Sequence, residues 1–442
     1  MQMKLSPGLV CLAALASACA SSGPASAPTA RPASVTAPAS ASSKLAAATA
    51  ASQSAALDAP GPSAPAVEPV DGEDRVVVNG FRRAFPRGTL DDYLRILSSS
   101  SCPQGTPSVS AEPVTIAVHS SALVPSNAGA ARVGDLTFVA GFALSSDNPR
   151  FGGLSDLHLL DNGNLVAVSD GGAFVWIDLA ADGITPVRAR ISPLLDMKGE
   201  PLTATQGDAQ GVALNGGMAL VSFGHNHRVL AYDLGKCGPA ARGAPIVFGP
   251  YGLPLADAFG DAGLAVTDRT GVGALAVTPN WYLFTGVGAK VGQLSALSAR
   301  PIEGDPDFSL RVGVEQPELT GIDVLSPSSG DASKRVRAFL LHRSRDPREG
   351  NSITETDLEL FPRPDSGSGG GELDQRARNG FVETGWRVLA KLDPPVASEN
   401  FEGITAKELP DGRTRLFIVS DNNFSEKSST LLWVFDLPKP LK

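Results

Sequence analysis

The sequence predicts an all-β fold arranged as a β-propeller, and three observations support this prediction. From Pro113 onward, short apolar runs rich in β-branched residues alternate with Gly, Asp, Asn and Pro, which is typical of strands and turns. A sequence repeat that corresponds to two successive strands recurs along this part of the chain. No Pro/Ser-rich linker divides residues 113–437, so one closed ring explains the pattern better than a large β-sandwich or two smaller β domains.

The N-terminal residues have the pattern of an export signal. Lys4 precedes the apolar run from Leu9 to Leu15, which is too short to span a bilayer as a mature helix. The LASAC sequence at 15–19 resembles a bacterial lipobox, which predicts a lipoprotein signal peptide over 1–18 and lipidation of Cys19. Ala16 departs from the Leu that the motif prefers, so cleavage after an A-x-A-like site is the alternative. We expect export to the cell envelope and an outer-membrane anchor at Cys19.

Two segments precede the β-rich body. Residues 19–72 consist mainly of Ala, Ser, Pro and Thr and have almost nothing to bury, which predicts a disordered tether. Residues 73–112 form an N-terminal extension with one predicted short helix, because Thr89 is a suitable cap and Asp91 and Asp92 give an acidic first turn.

The body, residues 113–442, contains five visible copies of the repeated phrase. Each copy is a short strand, a polar turn and a second apolar strand, and the copies start at Gly153, Gly211, Ala274, Gly321 and Gly403. Their spacing suits propeller blades of about 40 to 50 residues with added loops. Strands at Val114–Val118 and Leu136–Leu144 are expected to pair with Leu431–Phe435 and complete a terminal blade. Six blades are therefore predicted, with five or seven left open.

Charge and cysteine content exclude several classes of protein. The net charge is −9 and there is no basic block, so the chain lacks the clustered cations that bind nucleic acid. The four cysteines form no CxxC pair, which argues against a zinc ribbon and a thioredoxin-like site. After signal cleavage and lipidation, Cys102 and Cys237 could form a disulfide in an oxidising compartment; two unrelated buried thiols are the alternative.

Three passages carry a resemblance to a known family: Phe151–Asp156 with Val168–Asp170, Asn400–Ile404, and Val419–Phe424. Together they resemble the bacterial family named esterase-like activity of phytase, over about Val133–Leu437. The resemblance implies a β-propeller on an exported protein and hydrolysis of ester bonds, with phytate only a family-level substrate.

This sequence departs from the family at several acidic positions. The family commonly has Glu before Gly in several repeats, whereas here those positions are Gln210 and Gly273, and only Glu402 matches. The family's Leu-Glu-Arg strand end corresponds here to Leu341-His342-Arg343. If the missing acids hold a cation or activate water, part of that capacity is lost.

The remaining polar residues of the matched segments are the candidate site. Asp170, Glu402 and Asp421 offer carboxylate oxygens, and Asn422 and Asn423 offer amide oxygens, all of which suit Ca²⁺. Glu402 and Asp421 are the candidate catalytic residues and, with Asp170, the candidate metal ligands. Local turns that use the same Asp and Asn side chains to bond backbone amides are the structural alternative.

Arg343 is the third candidate catalytic residue, since a guanidinium can neutralise an anionic substrate. Arg345 and Arg348 are close to it in sequence around Asp346, where a solvated loop with salt bridges is the simpler interpretation. Asn422, Asn423 and Ser155 are candidate substrate-binding residues.

The histidines are weaker candidates. His225 and His227 could bind a transition metal, but no third ligand is visible in the sequence, so a polar turn is favoured. His342 could act as a base or simply form a structural hydrogen bond. No G-x-S-x-G elbow is present, which argues against the common serine-esterase route.

The function that follows is an exported, lipid-anchored, phytase-like and esterase-like propeller. It would bind, and in the active case hydrolyse, a phosphorylated or esterified small molecule, with Ca²⁺ as the expected cofactor. The alternative is a non-catalytic binding or scaffold propeller of the cell envelope with a degenerate site. Fold alone does not separate the two, because propellers perform both roles.

Overall fold

The computed structural model describes residues 73–78, 81–86, 90–225, 228–246, 272–287, 296–301, 308–311, 318–326, 335–344, 348–360, 381–397, 399–425 and 428–439. The predicted signal peptide, Cys19 and the tether lie outside the described residues. His227, Arg345 and Asp346 also lie outside them. In the described part of the chain, no helix is long and apolar enough to span a membrane.

The N-terminal extension contains a hairpin and a helix. Strands β1 (Glu73–Val78) and β2 (Phe81–Pro86) pair antiparallel, and helix α1 follows at Leu90–Ser101, where a short helix was predicted. Leu97 of α1 is buried in the hydrophobic core of the body. Directly after the helix, Cys102 forms a disulfide with Cys237, with 5.7 Å between their Cα atoms.

Five antiparallel sheets form the body. The first, in spatial order, is β7 (Leu154–Leu159), β8 (Leu165–Ser169), β9 (Ala173–Leu179), β10 (Pro186–Pro193) and β3 (Glu112–Val114). The second is β11 (Ala209–Asn215), β12 (Met218–Phe223), β13 (Val229–Asp233) and β14 (Ala244–Pro245), with helix α2 (Leu234–Cys237) and a 3-10 turn (Gly238–Ala240) between its last two strands. The third is β15 (Val272–Val277), β16 (Tyr282–Val287), β17 (Ala296–Pro301) and β18 (Phe308–Arg311).

The fourth sheet is β19 (Glu318–Leu325), β20 (Arg335–Arg343), β21 (Asn351–Leu360) and β22 (Phe381–Leu392). The fifth is β23 (Phe401–Glu408), β24 (Thr414–Ser420), β25 (Thr430–Leu437), β6 (Leu136–Ser145) and β4 (Ala117–Ser120), with β5 (Arg132–Val133) paired to β6. All five repeated phrases of the sequence therefore lie on the first two strands of a sheet.

The sheets form a closed ring. The first strands contact one another in the cycle β7, β11, β15, β19, β23 and back to β7. Five hydrophobic clusters lie between the sheets, one for each neighbouring pair; for example, Leu157 and Val419 join the first and fifth sheets. Each sheet thus buries both faces against its neighbours, which is the architecture of a β-propeller.

The described residues contain five blades, whereas the spacing favoured six. The predicted pairing of the front and back of the chain is present, because Ala143 of β6 lies opposite Leu431 of β25. These strands do not make a separate blade, however, because β6 adds to the sheet of the fifth repeat. The other front strand is split: Val114 pairs in the first sheet, and Val118 pairs in the fifth.

Each inner strand has a β-bulge near its start. The bulged residues are Ser155, Gln210, Gly273, Thr320 and Glu402, so these five positions are structurally equivalent. A glycine follows the bulge in three blades, because the next inner strand passes close by. A Cβ on Gly321 would be 2.5 Å from the carbonyl oxygen of Glu402, and one on Gly403 would be 2.6 Å from the Cα of Asp156.

Two buried carboxyl groups connect neighbouring inner strands. Asp156 accepts a hydrogen bond from the Val212 amide at 2.8 Å, and Asp323 accepts one from the Ala406 amide at 2.7 Å. Burial raises the pKa of Asp156 well above its ordinary value, although hydrogen bonds from Val212 and Leu157 act in the opposite direction. Because their oxygens accept from backbone amides of the next blade, these carboxyls tie the ring together near its axis.

Candidate functional site

The candidate site is at the end of the ring where the inner strands start. In an antiparallel sheet, the second strand ends at the edge where the first begins. This geometry gathers side chains from four blades, which we call the acidic mouth: Asp170, Asp208, Glu318, Arg343, Glu402 and Asp421. Five of these six groups are carboxyls, so the mouth carries a strong excess of acid.

Arg343, at the end of β20, lies between two carboxylates. Its Nε and Nη2 donate to Oε2 of Glu318 at 3.0 and 2.9 Å, and Nη1 donates to Oε1 of Glu402 and to Oδ1 of Asn400. Burial alone would lower the pKa of Arg343, but Glu402 and Glu318 raise it overall. The guanidinium charge is therefore already balanced within the protein, which differs from the predicted role of neutralising a substrate anion.

Glu402 is the bulged residue of β23 and is held by two partners. Its Oε1 accepts hydrogen bonds from Arg343 and, at 2.9 Å, from Nδ2 of Asn400. Burial raises the pKa of Glu402 to about 7; Arg343 opposes this effect, and the negative charge of Asp421 adds to it. The pKa of this carboxyl therefore lies above that of an exposed glutamate, even with a cation beside it.

Asp170 follows β8 and has no hydrogen-bond partner for one oxygen. Its Oδ1 is buried and unpaired in the described part of the chain. Burial raises its pKa to about 7, and the charges of Asp421 and Asp208 contribute to the same shift. An unpaired carboxylate oxygen surrounded by like charges favours uptake of a proton or a cation.

The segment Asp421–Phe424 forms a tight turn beside Asp170. Oδ1 of Asp421 accepts from the Asn423 amide at 2.6 Å, as the turn alternative predicted for this residue. Oδ1 of Asn422 accepts from the amides of Gly153 at 2.8 Å and Phe424 at 3.2 Å. The two asparagines therefore shape the turn, while burial raises the pKa of Asp421 and its carboxylate acts electrostatically on Asp170.

Sequence reasoning missed several members of this site. Asp208, Glu318 and Asn400 each stand two residues before a bulged position, so an alignment of the five repeats on the bulge would have found them. Asp208 accepts from Nε2 of Gln210 at 2.8 Å and lies 3.6 Å from Nε2 of His225. Each of the three missed residues taken alone resembles an ordinary turn residue. Their shared position before the bulge is visible only when the repeats are aligned with one another.

Two of the other candidates are buried, and a third lies in an exposed turn. Ser155 is buried, and its Oγ lies 3.4 Å from the carbonyl oxygen of Gly153. His342 is buried, its Nε2 is 3.1 Å from Oγ1 of Thr354, and burial lowers its pKa to about 4. Arg348 lies exposed in the turn before β21. His342 thus has the structural role that the sequence left open.

The mouth contains oxygen donors of the kind that bind metal ions. Among the residues that the structure describes, no three or more His, Cys, Asp or Glu side chains are grouped as metal ligands. The chemistry of the mouth nonetheless suits a hard cation, because Asp170 Oδ1 is unpaired and its neighbours Asp208 and Asp421 are carboxyls. Binding of a proton by Asp170 would neutralise the same carboxylate, so the geometry alone does not require a metal.

The chain has distant similarity to several solved structures, among them a β-propeller domain and two enzymes. The aldose sugar dehydrogenase of Streptomyces coelicolor is 14% identical, with 74% of this chain and 100% of that chain covered and a TM-score of 0.33. An exo-1,5-α-L-arabinanase from a bovine ruminal metagenomic library is 12% identical, with 64% and 92% covered and a TM-score of 0.34. The Cps50 (Swd1) β-propeller domain of Myceliophteria thermophila is 10% identical, with 64% and 96% covered and a TM-score of 0.32. At these TM-scores, none of the three carries an argument about this chain.

The family comparison is more informative. No curated protein matches the chain. The family model for esterase-like activity of phytase matches residues 149–424, which include all five inner strands and every residue of the acidic mouth. With most of the propeller matched in this way, the chain belongs to the phytase-like family.

Proposed function

We propose that the acidic mouth hydrolyses an ester of a small molecule, with Asp170 and Asp421 as an acid–base pair. One observation carries the proposal: Asp170 has a buried, unpaired oxygen and a pKa of about 7, raised by burial and by the charge of Asp421. Two neighbouring carboxyls of which one keeps its proton near neutral pH can both donate and accept a proton.

The proposed reaction uses one water molecule. The Asp421 carboxylate takes a proton from water, and the water oxygen forms a bond with the electrophilic carbon or phosphorus of the ester. As the bond to the leaving oxygen breaks, protonated Asp170 donates its proton to the departing alcohol. Transfer of a proton from Asp421 back to Asp170 restores the starting state, so the step balances without another reactant.

Arg343 and its partners support this pair from the neighbouring blade. The guanidinium holds Glu318, Asn400 and Glu402 in place, and its positive charge lowers the pKa of Asp421. Burial still raises the pKa of Asp421 overall, but Arg343 offsets part of this rise, whereas Asp170 has no cation among the groups that shift its pKa. We therefore assign Arg343 a positioning role in place of direct contact with an anionic substrate.

The charge of the mouth bears on the substrate class. Five carboxyls against one arginine repel a phosphomonoester, which carries negative charge of its own. A neutral carboxylic ester meets no such barrier. We propose carboxylic esters as the better substrates, and phosphate esters as substrates only when a cation accompanies them.

Calcium remains part of the proposal. Asp170 and Asp421 would hold the ion with Asp208 nearby, because these are oxygen donors whose mutual repulsion a cation relieves. When bound, Ca²⁺ would polarise the ester oxygen. A rise in thermal stability with Ca²⁺, reversed by EDTA and absent in Asp170→Asn, would support this site, and equal stability in all cases would remove calcium from the proposal.

The function is tested with 4-nitrophenyl acetate and 4-nitrophenyl phosphate, each with and without CaCl₂. We expect acetate hydrolysis to fall at least about 100-fold in Asp170→Asn and Asp421→Asn, because general acid–base catalysis contributes about 10²–10⁴-fold. Asp161→Asn is the matched control, since Asp161 is an exposed carboxyl in a β-turn of the same blade. Wild-type rates in both site variants would refute the assignment.

A non-catalytic binding module is the second candidate function. It is favoured by the bulged positions, where Ser155, Gln210, Gly273 and Thr320 are neutral and Glu402 alone is acidic. Absence of turnover with both esters, combined with saturable binding of a carboxylic ester at the mouth, would favour this candidate.

We further propose that the protein acts in the cell envelope, anchored by lipid at Cys19. The lipobox-like stretch 15–19 and the Ala/Ser/Pro-rich residues up to 72 support this proposal. Cys19→Ser should move the protein from the membrane fraction to the soluble fraction. An unchanged distribution would refute the anchor and leave the hydrolase proposal intact.

A further inference from the structure

We propose that Phe424 is a stacking platform for a flat, apolar ring in the substrate, and so selects esters that carry such a ring. This inference deepens the proposed function and rests on it for the identity of the reacting bond. The packing of Phe424, the backbone that holds it and its position next to Asp170 support this role.

Phe424 lies on a floor made of glycines. A Cβ on Gly153 would be 2.4 Å from its ring, one on Gly171 would be 2.9 Å away, and one on Gly152 would be 3.2 Å away. Only residues without side chains allow the ring to lie this close to the backbone of the first blade. Phe424 as a residue remains 44% exposed, so its ring packs on glycines on one side and the residue is still open to solvent.

The backbone holds Phe424 in an unusual conformation. Asn423 and Phe424 have φ values of 50° and 49°, in a region that residues with side chains seldom adopt. Asn422 fixes both sides of the contact, because its Oδ1 accepts from the amides of Gly153 and Phe424. Such conformations persist where surrounding contacts enforce them, and they concentrate at functional sites.

The platform adjoins the acid of the proposed reaction. A Cβ on Gly153 would meet Oδ1 of Asp170 at 1.9 Å as well as the Phe424 ring, so both groups touch the same glycine. A ring stacked on Phe424 would therefore place the bond next to it near the unpaired oxygen of Asp170. Aromatic rings and the apolar face of a sugar both offer the flat surface that stacks on phenylalanine.

The test compares benzyl acetate with ethyl acetate, which have the same acyl group and differ in the ring. In Phe424→Ala we expect KM for benzyl acetate to rise about three- to tenfold with kcat little changed, because a stacking contact contributes roughly this much to affinity. The KM for ethyl acetate should rise much less than the KM for benzyl acetate, and Phe424→Tyr should restore the benzyl preference. Trp386→Ala is the matched control, because Trp386 is an aromatic residue of similar exposure on the outer strand of another blade.

Ring binding is also measured without turnover, by NMR titration with benzyl alcohol and with methyl β-glucoside. Weaker binding of either ring to Phe424→Ala supports the platform and identifies the kind of ring. Equal binding of both rings by wild type and Phe424→Ala overturns it, as does an equal loss of activity with both esters. If wild type hydrolyses neither ester but Phe424→Ala still weakens ring binding, the platform holds and the hydrolase proposal fails.

Discussion

Replacing Asp170 with Asn should make the protein more stable at alkaline pH. The pKa of Asp170 is raised from its ordinary 3.8 to about 7, chiefly by burial and then by Asp421 and Asp208. The folded state therefore binds this proton more tightly than the unfolded chain does. As pH rises from about 3.8 to about 7, the wild-type protein loses stability through this group, and the penalty is complete above about pH 8.

The size of the effect follows from the two pKa values. Since one pKa unit corresponds to about 1.4 kcal/mol, the difference between 3.8 and about 7 sets a ceiling of about 4 kcal/mol. Asp170 is only partly buried, and solvent screening reduces the effect, so we expect about 2 kcal/mol. Asn removes the charge but keeps an oxygen that can accept a hydrogen bond from the Gly171 amide. The substitution therefore costs the folded state little hydrogen bonding.

The assay is urea unfolding of wild type, Asp170→Asn and Asp161→Asn at pH 8.5 and pH 4. The Asp170→Asn midpoint should exceed that of wild type at pH 8.5 with an unchanged slope, and the difference should shrink towards zero at pH 4. Asp161→Asn, at an exposed turn position, should follow wild type at both values. A variant no more stable than wild type at pH 8.5, or a gain that is the same at both pH values, would refute the reasoning.

Three further predictions concern the support of the site. Arg343→Met removes the cation between Glu318 and Glu402, and should cost up to about 3 kcal/mol of unfolding free energy at pH 8 by urea titration, with a smaller loss in Arg343→Lys; equal midpoints would contradict this. Gly153→Ala should destabilise the protein more than Gly163→Ala does, and should abolish hydrolysis, because its Cβ would meet Asp170 and Phe424. A Cβ at Gly163 meets nothing within 4 Å, so Gly163→Ala has only the cost of its positive φ. Equal losses of stability in the two variants would show that packing at Gly153 is unimportant. Reducing the disulfide, which closes a separation of 135 residues, should lower stability by about 3 to 5 kcal/mol in a comparison with and without dithiothreitol, and an unchanged midpoint would contradict the crosslink.

The repeat pattern was sufficient to predict the fold class but not the number of blades. Gly211, Ala274, Gly321 and Gly403 lie on inner strands, where a small residue is needed because neighbouring strands pass closely, and Gly153 directly precedes the inner strand of the first blade. The sixth blade was an error of assignment, since apolar strands at the front of the chain can either form a sheet of their own or complete an existing one. Strand pairing decides between these outcomes, and the pairing depends on contacts far apart in sequence.

The site was predictable in part, for a related reason. Asp170, Arg343, Glu402 and Asp421 were identified as candidates because they end or start strands in the matched segments, and the fold gathers those strand ends at the mouth. The partners of Arg343 were not predictable, because an arginine at a strand end looks available until the neighbouring blade supplies its carboxylates.

The bulged positions bear on whether the acids of the mouth serve the fold or the function. The five positions are equivalent in the ring, yet four hold neutral residues, Ser155, Gln210, Gly273 and Thr320, in blades that close equally well. The architecture therefore does not require a carboxyl there. Glu402 is held in a buried place where its pKa is raised to about 7, which is a cost to the folded state at neutral pH and above. A group that the fold does not need, and that destabilises it, is best explained by what it does at the mouth.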